Sequence, residues 1–582
     1  MRHRLPGQPV EEEWKTVTWA DYLLAAREVA GGLAELGVAP GQRVAVLSAN
    51  RGEWHTADLG TMLNGSVTVP VYPTSSASQV AYILRHSEAS VCFVDTHAQL
   101  GKVIEVRNQL PALRQVVLTD SERRAGDSFV VGFDALRKAG AHRLSRHPEV
   151  VDARSAAVKP DDVATIVYTS GASGTPKGVV LSHENIMFAL RKVTPVYNVG
   201  EGERLLSFLP LSHIAERMMS ELMPVAVTGE TWFARSLATV AEDLEVCRPT
   251  VFLAVPRVWE KLRESMERRL RSEPLPVWLA AASYMRLGRE KVAAEQAGLE
   301  LPGSASKLYR TLDSTIGAAI RRRSGLDRAH VLMTAAAPAH PELISWFHAI
   351  GLPLLQIYGQ TESCGPTAAN RPDHVRIGTV GTALPGVSVV IAPDGEILVQ
   401  GGNVCLGYLN DPEATAELID PAGFMHTGDT GAFDEDGSLR ILGRKKDIII
   451  TAAGENIAPE GIEADLTNHP LISEAVVAGE GRRYLVALVT LDPEELTNWA
   501  RQHHKLVGLE ELSGEPDLRL EIQAIIDHVN AKRSRAESIR RFRILARVLT
   551  TEDGELTPTM KVRRNVVYER HADVITELYA ET

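Results

Sequence analysis

Tyr168-Thr-Ser-Gly-Ala-Ser-Gly-Thr-Pro-Lys-Gly178 is the stretch on which the reading of this chain turns. The seven residues before and into it, Val163 to Thr169, are mostly apolar or β-branched and predict a buried strand. Gly171, Gly174 and Gly178 then alternate with Ser170, Ser173 and Thr175. Glycine lets the backbone approach a ligand closely. Successive N–H groups in such a turn form a concave anion site, and Lys177 adds a point charge suited to phosphate. The chemistry this favours is holding a polyphosphate. The spacing is not that of a Walker A loop, because Pro176 precedes the lysine and Gly178-Val-Val-Leu181 predicts a second strand where that motif opens a helix. A bare Gly/Ser loop would be a linker; eleven such residues between two strands argue for phosphate.

The surrounding sequence bounds the answer. A chain of 582 residues is too long for one core and predicts at least two domains. The net charge of −12 argues against a nucleic-acid partner, since such proteins are usually basic. Cys92, Cys247, Cys364 and Cys405 are too far apart for metal-ligand spacing and read as free thiols in a reducing compartment. Met1 to Trp14 lacks the apolar core of a signal peptide, and no run reaches the ~18 apolar residues that span a bilayer. The chain therefore reads as cytoplasmic, with peripheral association at the inner membrane face as an option.

Helix and strand patterns alternate along the first 160 residues. Thr18 to Gly37 predicts a helix with Ala20, Leu23, Leu24, Val29, Ala30, Leu33 and Leu36 on its apolar face. Arg43 to Leu47, Val67 to Val71 and Val91 to Val94 predict buried strands, and the alternation argues for a doubly wound α/β layer. Ser182 is placed to cap a helix beginning near Glu184. Thr250 to Val255 predicts a strand and Pro256 opens a helix whose later part, Lys261 to Arg271, is basic. With Pro274 to Met285 beyond, this reads as a solvated insert, the alternative being a peripheral membrane contact.

A second motif is Leu354-Leu-Gln-Ile-Tyr-Gly-Gln-Thr-Glu362. An apolar strand ending at Gly359 delivers Gln360, Thr361 and Glu362 to the carboxyl edge of a sheet, where α/β folds bind ligands. Tyr358 can stack on a purine, Thr361 offers a hydroxyl to phosphate, and Glu362 is a hard oxygen ligand for Mg²⁺. From Gly378 onward short strands and tight turns replace the longer pattern: Val387 to Ile391, Glu396 to Gln400, and Ala432 to Leu442 around Asp436-Gly437. That predicts a β subdomain over about 378–443. Strands are then expected from Val476 to Val489 and a helix from Leu518 to Ala531.

These motifs together resemble the adenylate-forming (AMP-binding) superfamily, over nearly the whole chain and in the family's order. The stretch Arg248-Pro-Thr-Val-Phe-Leu-Ala-Val-Pro-Arg-Val-Trp-Glu-Lys261 is similar to the long-chain and bubblegum-type fatty acyl-CoA synthetases in particular. The family loop has two threonines where this chain has Ala172 and Ser173, so one of the loop's hydroxyls is missing. The resemblance implies a large N-terminal domain, residues 1–445, of doubly wound sheets plus the β subdomain. It also implies a small, mobile α+β C-terminal domain, residues 446–582. It places Thr169, Ser170, Gly171, Ala172, Ser173, Gly174, Thr175 and Lys177 around the ATP phosphates. Ala335, Ala336 and Ala337 fall against the adenine, with a Gly to Ala change at Ala335 that narrows the backbone there, and Tyr358, Gly359, Gln360 and Thr361 line the nucleotide. Thr169 and Glu362 would hold Mg²⁺; Asp429 of His426-Thr-Gly-Asp429 would accept the ribose hydroxyls; Arg444 would contact ribose or phosphate. His213, in Phe208-Leu-Pro-Leu-Ser-His213, would lie beside the acyl group, Lys446 would be the hinge, and Lys561 the catalytic lysine.

The implied activity is a long-chain fatty acid:CoA ligase using ATP and CoA. A carboxylate attacks the α-phosphorus, pyrophosphate leaves, and the thiol then displaces AMP. Bringing two anions together requires positive charge aimed at the transition state and reactants held in line. Two alternatives stand beside it. One is a fatty acyl-AMP ligase serving a carrier protein, disfavoured because no insertion follows Asp447. The other is a non-catalytic nucleotide or lipid binder, disfavoured by the intact Lys561, Glu362, Asp429 and Arg444. Oligomeric state stays open between monomer and homodimer.

Overall fold

The computed structural model describes residues 1–3, 14–120, 128–169, 175–505, 512–557 and 560–580. They divide into two compact units. The first comprises Met1–Ala336, Glu342–Val389 and Val399–His426; the second comprises Ala337–Pro341, Val390–Leu398 and Thr427–Thr582.

The first unit is built on an eight-stranded sheet. Its order is Gly407–Tyr408, Lys177–Ser182, Val163–Thr169, Val67–Val71, Arg43–Leu47, Val91–Val94, Gln115–Leu118 and Val130–Gly132. From Val163–Thr169 to the Val130 edge the pairing is parallel, and it turns antiparallel at Lys177–Ser182 and Gly407–Tyr408. These strands read as continuous apolar runs because both faces are covered. Successive side chains point to opposite faces, and the two cores follow that alternation. Ala45, Leu47, Val69 and Val94 pack with Val80, Leu84 and Val103 on one side. Val44, Val46, Val91 and Phe93 pack with Val29, Leu33, Trp54 and Leu136 on the other. This is the doubly wound layer that the helix–strand alternation predicts.

A second sheet runs Val251–Ala254, Val331–Thr334 and Leu354–Gln360 in parallel, then Gly365–Ala369 and Thr382–Ala383 antiparallel. A third joins Arg204–Ser207 and Glu230–Phe233 to the amino-terminal strands.

The first helix spans Trp19–Glu35, with Thr18 and Asp21 closing a capping box. Of the expected face, Val29, Ala30 and Leu33 are buried, whereas Ala20, Leu23 and Leu24 are exposed and Tyr22, Ala25, Ala26, Gly31 and Gly32 are buried in their stead. Close helix packing explains the choice of small residues. A Cβ on Gly140 of the helix Phe133–Arg146 would lie 1.7 Å from the Glu28 carbonyl oxygen, so leucines at the crossing would force the helices apart.

Met425–Phe433, all but its first two residues in the second unit, and Leu439–Arg444 form the hairpin expected around Asp436-Gly437, with strands that extend beyond the expected Ala432 to Leu442. Beyond it lies a three-stranded sheet: Ile472–Ala478 and Leu485–Leu491 antiparallel, with Ile539–Ile544 parallel at the edge. Its faces again separate. Ala475, Val477 and Ala487 pack on the helices Pro459–Thr467, Pro493–Gln502 and Pro516–Asn530. Val476, Ala478 and Val486 pack on Val567 and Leu578 of the final two helices. Among the described residues no helix is long and apolar enough to cross a membrane.

Candidate active site

Val163–Thr169 and Lys177–Ser182 are antiparallel neighbours, and Thr169 and Lys177 are direct partners across the pair. The two strands that flank the first motif therefore form one hairpin rooted in the buried sheet. Ser170, Gly171, Ala172, Ser173 and Gly174 lie outside the described residues; Thr175 is exposed and Lys177 half-buried. Pro176 accepts a hydrogen bond from Tyr82 through its carbonyl (3.1 Å), which ties the carboxyl side of the loop to the helix Ala77–His86.

The strand Leu354–Gln360 carries the second motif and runs one residue beyond the expected end at Gly359. Gly359 sits at a register shift against Gly365–Ala369, and a Cβ there would lie 1.8 Å from the Gly365 carbonyl oxygen. Only glycine fits. Thr361 and Glu362 follow in a short 3₁₀ turn, Thr361–Ser363, held by Gln360 N–H donating to Ser363 Oγ (3.1 Å). Thr361 and Glu362 are buried, and Tyr358 and Gln360 are half-buried.

Tyr408, absent from the sequence reading, joins the two motifs. Its hydroxyl donates to Glu362 Oε1 at 3.0 Å, and Lys177 Nζ stands 4.8 Å from the centre of its ring. A cation over an aromatic face is attracted by the ring quadrupole. Cys405 N–H donates to the Glu362 carbonyl, and Leu409 N–H to the Gly178 carbonyl, both at 2.8 Å. One short strand thus spans from the phosphate-loop hairpin to the acidic turn. The available signal was Leu406-Gly-Tyr-Leu409, a glycine and an aromatic between two loops. Glu362 and Thr169 offer the hard oxygen donors that Mg²⁺ takes. Mg²⁺ is usually held through one or two carboxylates plus substrate phosphates, so this donor set fits.

His213 is positioned by a separate device. Its Nδ1 accepts from Ala215 N–H (3.2 Å), which makes it the N-cap of the short helix Ile214–Glu216. Asn50 fastens the preceding turn: Nδ2 donates to the Leu209 carbonyl (2.5 Å) and Oδ1 accepts from Leu211 N–H (3.0 Å). Glu216 is buried, and desolvation pushes its carboxyl up to about 7.

The Ala335 departure turns out to sit beside the strain and not at it. Ala336 adopts φ +72°, the left-handed region, after the strand Val331–Thr334. A Cβ there costs roughly 1–2 kcal/mol. Ala335 is half-buried and Ala337 exposed.

In the second unit, Asp429 and Arg444 are partners across the hairpin. Arg444 Nε lies 2.9 Å from Asp429 Oδ1; the carboxylate is 8% exposed and the guanidinium 53%. Arg444 N–H also donates to Glu460 Oε1 (3.1 Å), whose carboxyl is pushed up to about 7 by burial and then by the Asp447 charge. Lys445 pairs with Glu396 (3.0 Å), and Lys446 is exposed within the 3₁₀ turn Lys445–Asp447. Lys561 is exposed. Its backbone is clasped by Thr557, whose N–H donates to the Lys561 carbonyl (2.7 Å) and whose Oγ1 accepts from Lys561 N–H (3.0 Å). The neighbouring Glu555 is fully buried between Arg547 (2.7 Å) and His571 (3.2 Å) and anchors this turn.

With that geometry in view, comparisons with known proteins become informative. Residues 3–409 match the family model of the AMP-binding enzyme, and residues 446–582 that of the AMP-binding enzyme C-terminal domain. The chain belongs to the AMP-binding enzyme family. Long-chain-fatty-acid–CoA ligase FadD15 of Mycobacterium tuberculosis is 38% identical over 98% of this AMP-binding enzyme and 93% of its own length. Long-chain-fatty-acid–CoA ligase ACSBG2 of Xenopus laevis is 32% identical over 98% and 80%. Among solved structures, the adenylation domain of a carboxylate reductase from Mycobacterium chelonae superposes with a TM-score of 0.73. It is 23% identical and covers 100% of this chain and 88% of that one. The ATP-bound MatB of Rhodopseudomonas palustris gives 0.68 at 22% identity, with 96% and 95% covered. At these identities the two structures establish the adenylation-domain fold.

Proposed function

We propose that this chain is an AMP-forming long-chain fatty acid–CoA ligase. The observation that carries the reading is the link Lys177–Tyr408–Glu362, in which one tyrosine touches both the loop lysine and the acidic oxygen ligand, in a chain related end to end to curated ligases of that name. The fatty acid carboxylate attacks the α-phosphorus of ATP, the bond to the bridging oxygen breaks, and pyrophosphate leaves. The CoA thiol then attacks the acyl carbon and AMP departs with its electron pair. Lys177 and the loop backbone hold the phosphates, and Asp429 accepts from the ribose hydroxyls. Lys561 neutralises the meeting of carboxylate and phosphate in the first step. Mg²⁺, held through Glu362 and Thr169, would supply charge neutralisation at the phosphates. Residues 446–582 form the small domain that pivots at Lys446, so that one site serves both steps.

The test is a panel of acids from C2 to C24, scored by CoA-dependent AMP formation. Palmitate is expected to turn over faster than acetate; the reverse order overturns the long-chain reading. Lys561→Ala should abolish adenylation yet spare thioester formation from supplied acyl-AMP, and equal loss of both defeats the pivot.

The surface supports a second element. Leu275, Trp278 and Leu279 are exposed at the start of the helix Leu275–Gln296, directly after the helix that ends in Arg268, Arg269 and Arg271. Apolar anchors beside cations suit an anionic membrane surface. Co-sedimentation with phosphatidylserine vesicles is expected and should be lost in Trp278→Glu; equal sedimentation of the two proteins rejects it.

A further inference from the structure

Arg217 is fully buried, and its guanidinium is committed to two distant segments. Nε and Nη2 donate to the two oxygens of Asp58, each at 2.7 Å. Nη1 donates to Thr165 Oγ1, also at 2.7 Å, and Thr165 in turn donates to the Thr68 carbonyl (2.7 Å). Asp58 lies on the helix Gly52–Leu63. Thr165 lies on Val163–Thr169, four residues before the strand delivers Thr169 to the phosphate loop. Arg217 itself opens the π-helical turn Arg217–Leu222, and its N–H donates to the His213 carbonyl (3.1 Å).

Stability does not account for this arrangement. A buried ion pair is often matched or bettered by apolar residues of the same volume, because desolving two charges offsets their attraction. Here the burden is larger, since a second carboxylate, Glu221, lies 3.7 Å from Nε. Its Oε2 accepts no hydrogen bond among the described residues. Burial and the charge of Asp58 push the Glu221 carboxyl well above the usual carboxylate range. What a guanidinium supplies, and apolar packing does not, is direction: a planar fork fixes both partners at once. The two things it fixes are the turn that presents His213 and the strand that presents the loop. The wide π turn is a form found frequently at functional sites.

We propose that Arg217 is a positioning residue for adenylation: through Thr165 it sets the His213 turn in register with the phosphate-loop strand. This rests on the reading of His213 and the loop as parts of one acyl-adenylate site. The test uses the full chain with Thr165→Val, which keeps volume and leaves the Asp58 pair intact, Thr165→Ser, which keeps the hydroxyl, and Arg217→Lys, which keeps the charge and loses the fork. Fatty-acid-dependent pyrophosphate release is measured per titrated active site, alongside thermal stability.

Thr165→Val should raise the KM for fatty acid about fivefold and lower kcat about tenfold, the latter being roughly 1.4 kcal/mol of barrier. Thr165→Ser should stay within about twofold of the parent, and Arg217→Lys should follow Thr165→Val. A lowered Tm with KM and kcat per site unchanged in Thr165→Val makes the cluster scaffold and overturns the proposal. If Thr165→Val does not fold, parent-like KM in Arg217→Lys overturns it and a raised KM restored to normal only in Thr165→Ser supports it. A parent that releases no pyrophosphate with any acid overturns the functional reading first, and this proposal with it.

Discussion

Two Asp–Arg pairs, one in each unit, show how the same chemistry is put to different use. Asp58–Arg217 is closed: neither side chain is exposed, and Nε, Nη1 and Nη2 of the fork all donate to protein acceptors. Asp429–Arg444 makes a contact of similar length, 2.9 Å, yet its guanidinium is half exposed. The closed pair has no room for a ligand and can act only by holding segments in place. The open pair keeps its carboxylate buried but leaves its cation to solvent, so a ligand can reach it from the arginine side. Burial, more than the identity of the residues, separates a strut from a contact.

Removing a partner is the strongest way to break that comparison. Asp58→Ala strands a buried guanidinium, and breaking a buried pair costs about 3–5 kcal/mol. A large fall in Tm, or loss of soluble protein, is expected; a Tm within a few degrees of the parent would show that water reaches Arg217. Next in size is the pH response of the closed region. Glu216 ordinarily titrates near 4.5 and is raised to about 7 in the fold. The native state therefore binds the proton more tightly than the unfolded chain, so stability is greatest below about 4.5 and falls as pH rises to about 7. The window is worth roughly 3 kcal/mol. Glu216→Gln should flatten that slope in denaturant titrations across pH 4.5 to 7, and an unchanged slope assigns it elsewhere, for instance to Glu460 at the Arg444 backbone.

On the open side, Asp429→Ala should leave stability within about 1 kcal/mol, because the half-exposed Arg444 guanidinium it leaves behind is solvated. It should raise the KM for ATP about 10- to 100-fold, the worth of a charged hydrogen bond. A stability loss as large as that of Asp58→Ala, with KM unchanged, would erase the distinction between the two pairs. The smallest effect belongs to neither pair. Ala336→Gly relieves a left-handed alanine and should stabilise by under about 1 kcal/mol, set against the added freedom of the unfolded chain. A lowered Tm would mean that the methyl group packs.

Much of this was legible in the sequence for a plain reason. Parallel strands covered on both faces are uninterrupted apolar runs, so Val67 to Val71 and Val91 to Val94 declare themselves. The hairpin carrying the loop was readable from its glycines and flanking strands. The face of the first helix was legible only in part, because leucines outrank alanines in any hydropathy count, whereas the close crossing at Gly140 favours small residues over Leu23 and Leu24. Ala336 escaped notice since a composition departure at Ala335 drew attention one residue early. Tyr408, Arg217 and Asp58 were beyond reach: each matters through a partner 46 to 159 positions away, and local periodicity carries no such information.

The separation of Asp58 from Arg217 also bears on how the polypeptide is made. At the ribosome, chains grow at about 5–20 residues per second, so Asp58 waits on the order of ten to thirty seconds for a counter-ion 159 positions downstream. Until then the strands Arg43–Leu47 and Val67–Val71 cannot close over an ionised carboxylate without a penalty of several kcal/mol. The nascent amino-terminal layer is thus kept from locking early. A truncation ending between the phosphate loop and residue 217 would be a poor substrate for independent folding and a good one for chaperones.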